Sequence, residues 1–289
     1  MTKKQIKNIA VSVRQKLLNL SREKKEDFNF ILQRYAFERF LYRLGISPYR
    51  EQFLLKGGML LILWTGASHR ATRDIDLLGF GNADIVHLEN VFKEICDQAV
   101  NDDGIVFLSD MIKGEAIRAE KAYTGVRITF QARIEQAKCS LQIDIGFGDI
   151  VTPKAEEVEY PCLLHFPAPK LKAYPIYSVI AEKFEAIIKL DFSNSRMKDF
   201  YDIWFLLKHN ALDKTVLWQA IKATFQQRGT KFPKSEIAIF TPAFIHQKEE
   251  DWAAFLKRIN ADYVEFEQVI FDLKDFFEQV LILDDSCLK

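Results

Sequence analysis

Phe53-Leu54-Leu55-Lys56-Gly57-Gly58, with Asp74-Ile75-Asp76-Leu77-Leu78 beginning sixteen residues after Gly58, is the stretch on which the reading of this chain turns. Apolar residues ending at adjacent glycines read as a short buried strand running into a tight turn. Residues 59–64, all apolar, read as the helix that follows. Adjacent glycines let backbone N–H groups converge on an anion, and a helix start behind them adds positive potential. In Asp74-Ile75-Asp76, alternate residues of a strand share a face, so both carboxylates point one way while Ile75 and Leu77 point into a core. Neighbouring carboxylates repel, which is tolerable mainly when a cation sits between them, and hard oxygen ligands suit Mg²⁺ or Mn²⁺. The plainer alternative is a solvated sheet face.

Downstream, residues 126–134 and 141–147 alternate apolar and polar side chains, and Glu135-Gln136-Ala137 is short enough to join them as an antiparallel hairpin. Asp144 falls on the polar face of the second strand, with Asp149 beyond its end. If that strand lies beside the one bearing Asp76, Asp144 completes a three-carboxylate cluster of the kind that holds catalytic metal ions. Residues 84–100 read as a helix against the sheet. Upstream, residues 5–44 carry helical spacing (Phe30, Ile31, Tyr35, Phe37, Leu41, Leu44), closed by Gly45 and Pro48.

Five prolines (Pro153, Pro161, Pro167, Pro169, Pro175) then mark an extended connection, because proline lacks a ladder donor and disfavours helix. Beyond them the pattern is helical at 176–190, 196–209 and 212–227, with a further pair between 249 and 283. This predicts an α+β chain: an N-terminal helical segment (1–45), a core domain with a mixed, mostly antiparallel sheet (46–175), and a helical C-terminal domain (176–289). The late aromatic stripe (Trp252, Phe255, Tyr263, Phe266, Phe271, Phe276, Phe277) reads as core packing.

Two of the C-terminal helices carry chemistry. Ala181-Glu182-Lys183 lies in one, and Arg196-Met197-Lys198-Asp199-Phe200-Tyr201-Asp202 opens the next. Asp199 and Asp202 share a face with Arg196. Ordinary capping and ion pairing would account for them, while Lys183 offers the cation that a triphosphate needs. The five histidines show neither HExxH nor any other ligand spacing.

Composition limits the classes. Of 289 residues, 48% are hydrophobic and 28% charged, so the chain has ample material for a core and is neither disordered nor a disulfide scaffold. No apolar run approaches a membrane span, and Met1-Thr2-Lys3-Lys4-Gln5 leads into no signal-like segment. Four scattered cysteines without a CxxC pair read as reduced thiols of a cytoplasmic protein. The chain is neutral overall, yet residues 1–50 hold twelve basic against four acidic residues and residues 241–289 hold five against eleven. The basic end, including Lys3, Lys4, Lys7, Lys24 and Lys25, suits nucleic-acid contact; it suits a solvated helix face equally.

Taken together, the motifs resemble the AbiEii/AbiGii toxin-type nucleotidyltransferases of the DNA polymerase beta-like superfamily. The resemblance rests on Phe53 to Gly58, on Arg70-Ala71-Thr72-Arg73-Asp74-Ile75-Asp76-Leu77, on Ile143-Asp144-Ile145-Gly146-Phe147-Gly148-Asp149, and on the Lys183 and Arg196-x-Lys198-Asp199-x-x-Asp202 motifs. It implies a nucleotidyltransferase-like fold and transfer of a nucleotide from a nucleoside triphosphate to an acceptor such as tRNA. It further implies a toxin of a toxin–antitoxin or phage-defence pair, with an antitoxin encoded nearby. On this resemblance Asp74, Asp76 and Asp144 would hold Mg²⁺. Lys56, Gly57, Gly58, Arg73, Lys183, Arg196 and Lys198 would bind the nucleotide, and Lys183, Asp199 and Asp202 would complete the catalytic set. Met59 departs from the family's usual Ser or Thr, which leaves phosphate binding there to backbone N–H groups. Two readings compete: a metal-dependent nuclease or phosphohydrolase using the same carboxylates, and a catalytically degenerate fold that only binds a partner.

Overall fold

The computed structural model describes residues 8–66, 72–118, 124–232 and 237–283. Its contacts group into two compact units. The first comprises Met1–Gly58, Thr72–Gly148 and Glu157–Ala173; the second comprises Met59–Ala71, Asp149–Glu156 and Tyr174–Lys289. The N-terminal helices therefore belong with the sheet, and two short pieces from the middle of the sequence belong with the C-terminal helices.

In the first unit, α1 (Ile9–Lys24) and α2 (Phe28–Ile46) replace the single expected helical segment. Lys25 takes a left-handed φ of 54°, and Asp27 caps the new helix by accepting from Asn29 and Phe30. Gly45 does not close α2 but sits in its last turn, where a Cβ would come 2.5 Å from the Lys170 carbonyl oxygen. Its missing side chain lets helix and strand approach. Lys24 and Lys25 are exposed, while Lys3, Lys4 and Lys7 lie outside the described residues.

The sheet is built from β1 (Phe53–Lys56), β2 (Ile75–Gly79), β3 (Val106–Phe107), β4 (Lys113–Arg118), β5 (Thr124–Ile134), β6 (Ala137–Phe147), β7 (Glu156–Glu159) and β8 (Lys170–Ala173). Their order is β3-β5-β6-β2-β1-β8-β7, with β4 also on β5. It is mixed: β1–β2, β3–β5, β4–β5 and β5–β6 are antiparallel, whereas β2–β6 and β1–β8 are parallel. The proline-rich passage is thus not only a connection, because β7 and β8 form between its prolines and β8 extends the sheet beside β1. The hairpin turn is tighter than expected, Ile134 pairing with Ala137 and Glu135 taking φ 54°. On β6, Leu141, Ile143 and Ile145 are buried while Gln142 and Asp144 are half-buried, so period-two alternation separates a core face from a polar face. The core face packs against α2 and against α4 (Ile85–Cys96), which Asp84 caps. Among that core, Phe40 stacks on Phe92 at 5.6 Å between ring centres.

The glycine turn continues as a 3-10 turn over Gly57–Leu60, and only then does α3 (Leu61–Thr65) begin, five residues long and ended by Gly66 in a left-handed conformation. The expected helix at 59–64 is therefore shorter and starts later, which leaves little helix dipole behind the glycines.

The second unit contains α5 (Ile176–Leu190), α6 (Met197–His209), α7 (Lys214–Arg228), α8 (Pro242–Ile259) and α9 (Phe266–Leu281). Trp252, Phe255, Phe266 and Phe277 of the aromatic stripe are buried, Phe277 stacking on Phe184 at 3.9 Å. Tyr263 and Phe271 instead point outward, each 66% exposed. Among the described residues no helix is long and apolar enough to cross a membrane.

Candidate active site

Parallel pairing of β2 with β6 puts Asp76 in register with Asp144. Asp74 precedes β2 on the same face as Asp76. One carboxylate oxygen from each of Asp74, Asp76 and Asp144 lies within 4.8 Å of the others, and all three side chains are half-buried. This is the arrangement anticipated if the two strands were neighbours. Three hard, anionic oxygen donors this close fit a divalent cation such as Mg²⁺ or Mn²⁺. Among the described residues no other group of histidine, cysteine or acidic side chains offers a comparable ligand set.

Arg127 on β5 is a member of the site that the sequence reading passed over. It stands opposite Asp144 in the hairpin and donates to both its oxygens, Nε to Oδ1 and Nη2 to Oδ2, each at 2.8 Å. The hydrogen bond to Asp144 holds the guanidinium above its ordinary pKa, with the neighbouring Asp74 charge adding to the effect. The signal was present in the sequence. A two-residue turn at 135–136 pairs Arg127 with Asp144 by counting back from Ile134 and Ala137, whereas a three-residue link does not.

The glycine turn abuts the cluster. Lys56 pairs in register with Asp76 across β1 and β2. Gly57 has φ 74°, and a Cβ there would lie 2.0 Å from Asp76 Oδ2. Arg73 is exposed beside Asp74, and Gln33 of α2 donates to the Arg73 carbonyl at 3.4 Å. Residues 67–71, and with them Arg70 and Ala71 of the motif, lie outside the described residues.

The remaining candidate residues gather in the second unit. Lys183 Nζ is 2.6 Å from Asp199 Oδ1 and 2.9 Å from Asp202 Oδ2, and Arg196 Nε is 2.6 Å from Asp199 Oδ2. Both aspartates are fully buried. Burial alone would raise the Asp199 pKa, but the Lys183 and Arg196 charges outweigh it and hold the carboxyl below its ordinary value. Arg196 and Lys198 are exposed. Sequence reasoning missed a second network close by. Arg228 of α7 joins Asp149 (3.0 Å), Glu182 (3.2 Å) and Glu185 (2.9 Å), and Thr230 donates to Glu185. Those three carboxylates hold the Arg228 pKa above its ordinary value, although burial opposes the shift most strongly.

The structure is similar to the crystal structure of JHP933 from Helicobacter pylori, with a TM-score of 0.52 at 14% identity over 90% of this chain and 96% of that one. An antigenic nucleotidyltransferase-like protein from Paracoccidioides brasiliensis also aligns, with a TM-score of 0.40 at 13% identity over 68% of this chain and 90% of that one. No curated protein matches the sequence. The family model described as the nucleotidyl transferase AbiEii toxin of type IV toxin–antitoxin systems matches residues 39–271, which include the carboxylate cluster, the glycine turn and the Lys183 network, and the chain belongs to that family.

Proposed function

We propose that this nucleotidyltransferase moves a nucleotide from a nucleoside triphosphate to a hydroxyl of an RNA acceptor, in a Mg²⁺-dependent reaction that is toxic until a cognate antitoxin restrains it. The observation that carries this reading is the cluster of Asp74, Asp76 and Asp144 directly against the Gly57–Gly58 turn. The turn's backbone N–H groups would cradle the β- and γ-phosphates, with Lys56 and Arg73 adding positive charge. The acceptor hydroxyl oxygen attacks the α-phosphorus and forms a new P–O bond. The bond from that phosphorus to the bridging oxygen breaks, and pyrophosphate leaves with the electron pair. Asp144, as the third carboxylate, would help remove the hydroxyl proton. A divalent cation held by the three carboxylates would neutralise charge building on the phosphoryl oxygens. Lys183, held by Asp199 and Asp202, would contribute to triphosphate binding together with Arg196 and Lys198.

The test uses nucleoside triphosphates labelled at the α-phosphate, total RNA and Mg²⁺. Label should pass to RNA with the wild-type chain and fall by at least about 100-fold with Asp76→Ala, comparable to losing a main electrostatic stabiliser. RNA shortening without label transfer would replace transfer with phosphodiester hydrolysis. Undiminished transfer by Asp76→Ala, with unchanged melting, would remove the carboxylates from the reaction.

A further inference from the structure

The geometry points to a binding track for a single-stranded polynucleotide acceptor along the polar face of β4, β5 and β6, on the side of the carboxylates away from the glycine turn. This rests on the transfer reading above.

Sheet order supplies the first argument. Reading across β1, β2, β6, β5 and β4, the Gly57–Gly58 turn lies to one side of Asp76 and Asp144, and the polar face of β5 and β4 lies to the other. In phosphoryl transfer the attacking and leaving oxygens stand roughly in line on opposite sides of phosphorus. If the leaving pyrophosphate sits at the glycines, the attacking hydroxyl arrives from the β5 side.

A cleft exists there. It encloses about 460 Å³ and is lined by Arg73, Lys113, Thr129, Gln131, Ser140 and Gln142, among others. That volume falls within the range of roughly 300–1,000 Å³ common for ligand clefts. It opens where β6 runs past the start of β2: β2 pairs with β6 only from Ile143 onward, and at Ser140 the β6 carbonyl accepts instead from Gln33, at 3.1 Å. The amides of Gln33, Gln131 and Gln142 and the hydroxyls of Thr129 and Ser140 in its lining match the Watson–Crick base edges that only an unpaired strand displays.

Charge supplies the third argument. Lys113 and Arg73 are exposed at the cleft. Farther along the same face Arg133 and Lys138 stand directly opposite one another on β5 and β6, both exposed, and among the described residues neither has an ion-pair partner. Like charges directly across a pair of strands destabilise it, and a polyanion lying over both relieves that repulsion. From this pair to Asp144 is six residues of β6, about 20 Å at the rise of a strand, enough for several nucleotides. A lone nucleoside triphosphate could not reach both ends.

The experiment measures anisotropy of a fluorescein-labelled, mixed-sequence single-stranded RNA 12-mer on the full chain across a salt series. Triphosphate binding is measured in parallel by calorimetry with Mg²⁺. The Lys113→Glu/Lys138→Glu variant should bind the 12-mer at least about tenfold more weakly, and each lost phosphate contact should flatten the log–log salt slope by roughly 0.7. Its triphosphate affinity should equal the parent's. The alanine pair at the same positions should shift both RNA readouts in the same direction by less, and it serves if the charge reversal lowers the melting temperature. Parental affinity and slope in both variants would overturn the proposal, as would a wild-type chain that leaves the 12-mer free at low salt, or a loss confined to triphosphate binding. RNA binding that depends on these lysines without label transfer would instead leave the track standing and remove the transfer reading.

Discussion

Gly57 and Asp76 touch so closely that no side chain fits between them: a Cβ on Gly57 would stand 2.0 Å from Asp76 Oδ2, and the glycine's φ of 74° belongs to the left-handed region. The turn and the Asp76 carboxylate are therefore one structural unit. Gly57→Ala should displace Asp76 as well as strain the turn, at a cost of roughly 1–3 kcal/mol for the backbone alone. Mn²⁺ titration of the variant should show cation affinity reduced at least as much as by Asp76→Asn. Unchanged Mn²⁺ affinity in Gly57→Ala would separate the turn from the cation site.

Arg127 contributes the positive charge that lets three carboxylates stand within 4.8 Å of one another. Arg127→Met keeps most of the stem and removes that charge, so the folded state should lose stability through carboxylate repulsion. A divalent cation would then relieve more repulsion than it does in the parent. Thermal melting should accordingly show a larger rise on adding 10 mM Mg²⁺ (roughly a tenfold gain in affinity adds about 1.4 kcal/mol). Equal Mg²⁺ shifts in variant and parent would show that Arg127 does not compensate the cluster.

Lys183 is tied to two carboxylates that are fully buried. Removing one partner of a buried charge network costs about 3–5 kcal/mol, because the remaining charges are left without compensation. Lys183→Met should therefore lower the melting temperature as well as weaken triphosphate binding. Adding Asp199→Asn and Asp202→Asn should recover most of the stability without recovering binding. A Lys183→Met protein that melts like the parent would contradict the network.

Glu38 of α2 is buried at 2% exposure, with Leu163 N–H donating to it at 2.9 Å. Burial pushes its carboxyl up to about 7, against the opposing Leu163 hydrogen bond and the Arg34 and Arg39 charges. A raised carboxyl favours folding most where it is protonated in both states, below about pH 4.5. That contribution, roughly 3 kcal/mol, is lost as pH climbs through 7. Glu38→Gln should abolish this fall, and chemical denaturation at pH 8 should find the variant more stable than the parent. A variant with the parent's pH profile between 4.5 and 8 would show that Glu38 is ionised in the folded protein throughout.

What the sequence determined by itself was local. Apolar-polar alternation in 126–134 and 141–147 specified two strands with Asp144 on the polar side, because side-chain direction along a strand depends only on consecutive residues. The same rule put Asp74 and Asp76 on one face, and helical spacing placed α5, α6 and α7 close to their observed limits. Tertiary structure decided which of these elements are neighbours. The parallel register that brings Asp144 to Asp76 joins strands with a helix and three other strands between them in the chain, and no local pattern encodes it. The short strands β7 and β8 carry too few residues to show a period, and β8 is held by pairing with β1. Arg228 meets Asp149, Glu182 and Glu185 only because three separate segments converge, and Lys183 is committed to Asp199 and Asp202 for the same reason. Charge types can be read from a sequence, but burial, which sets what each charge is worth, exists only once the chain has packed.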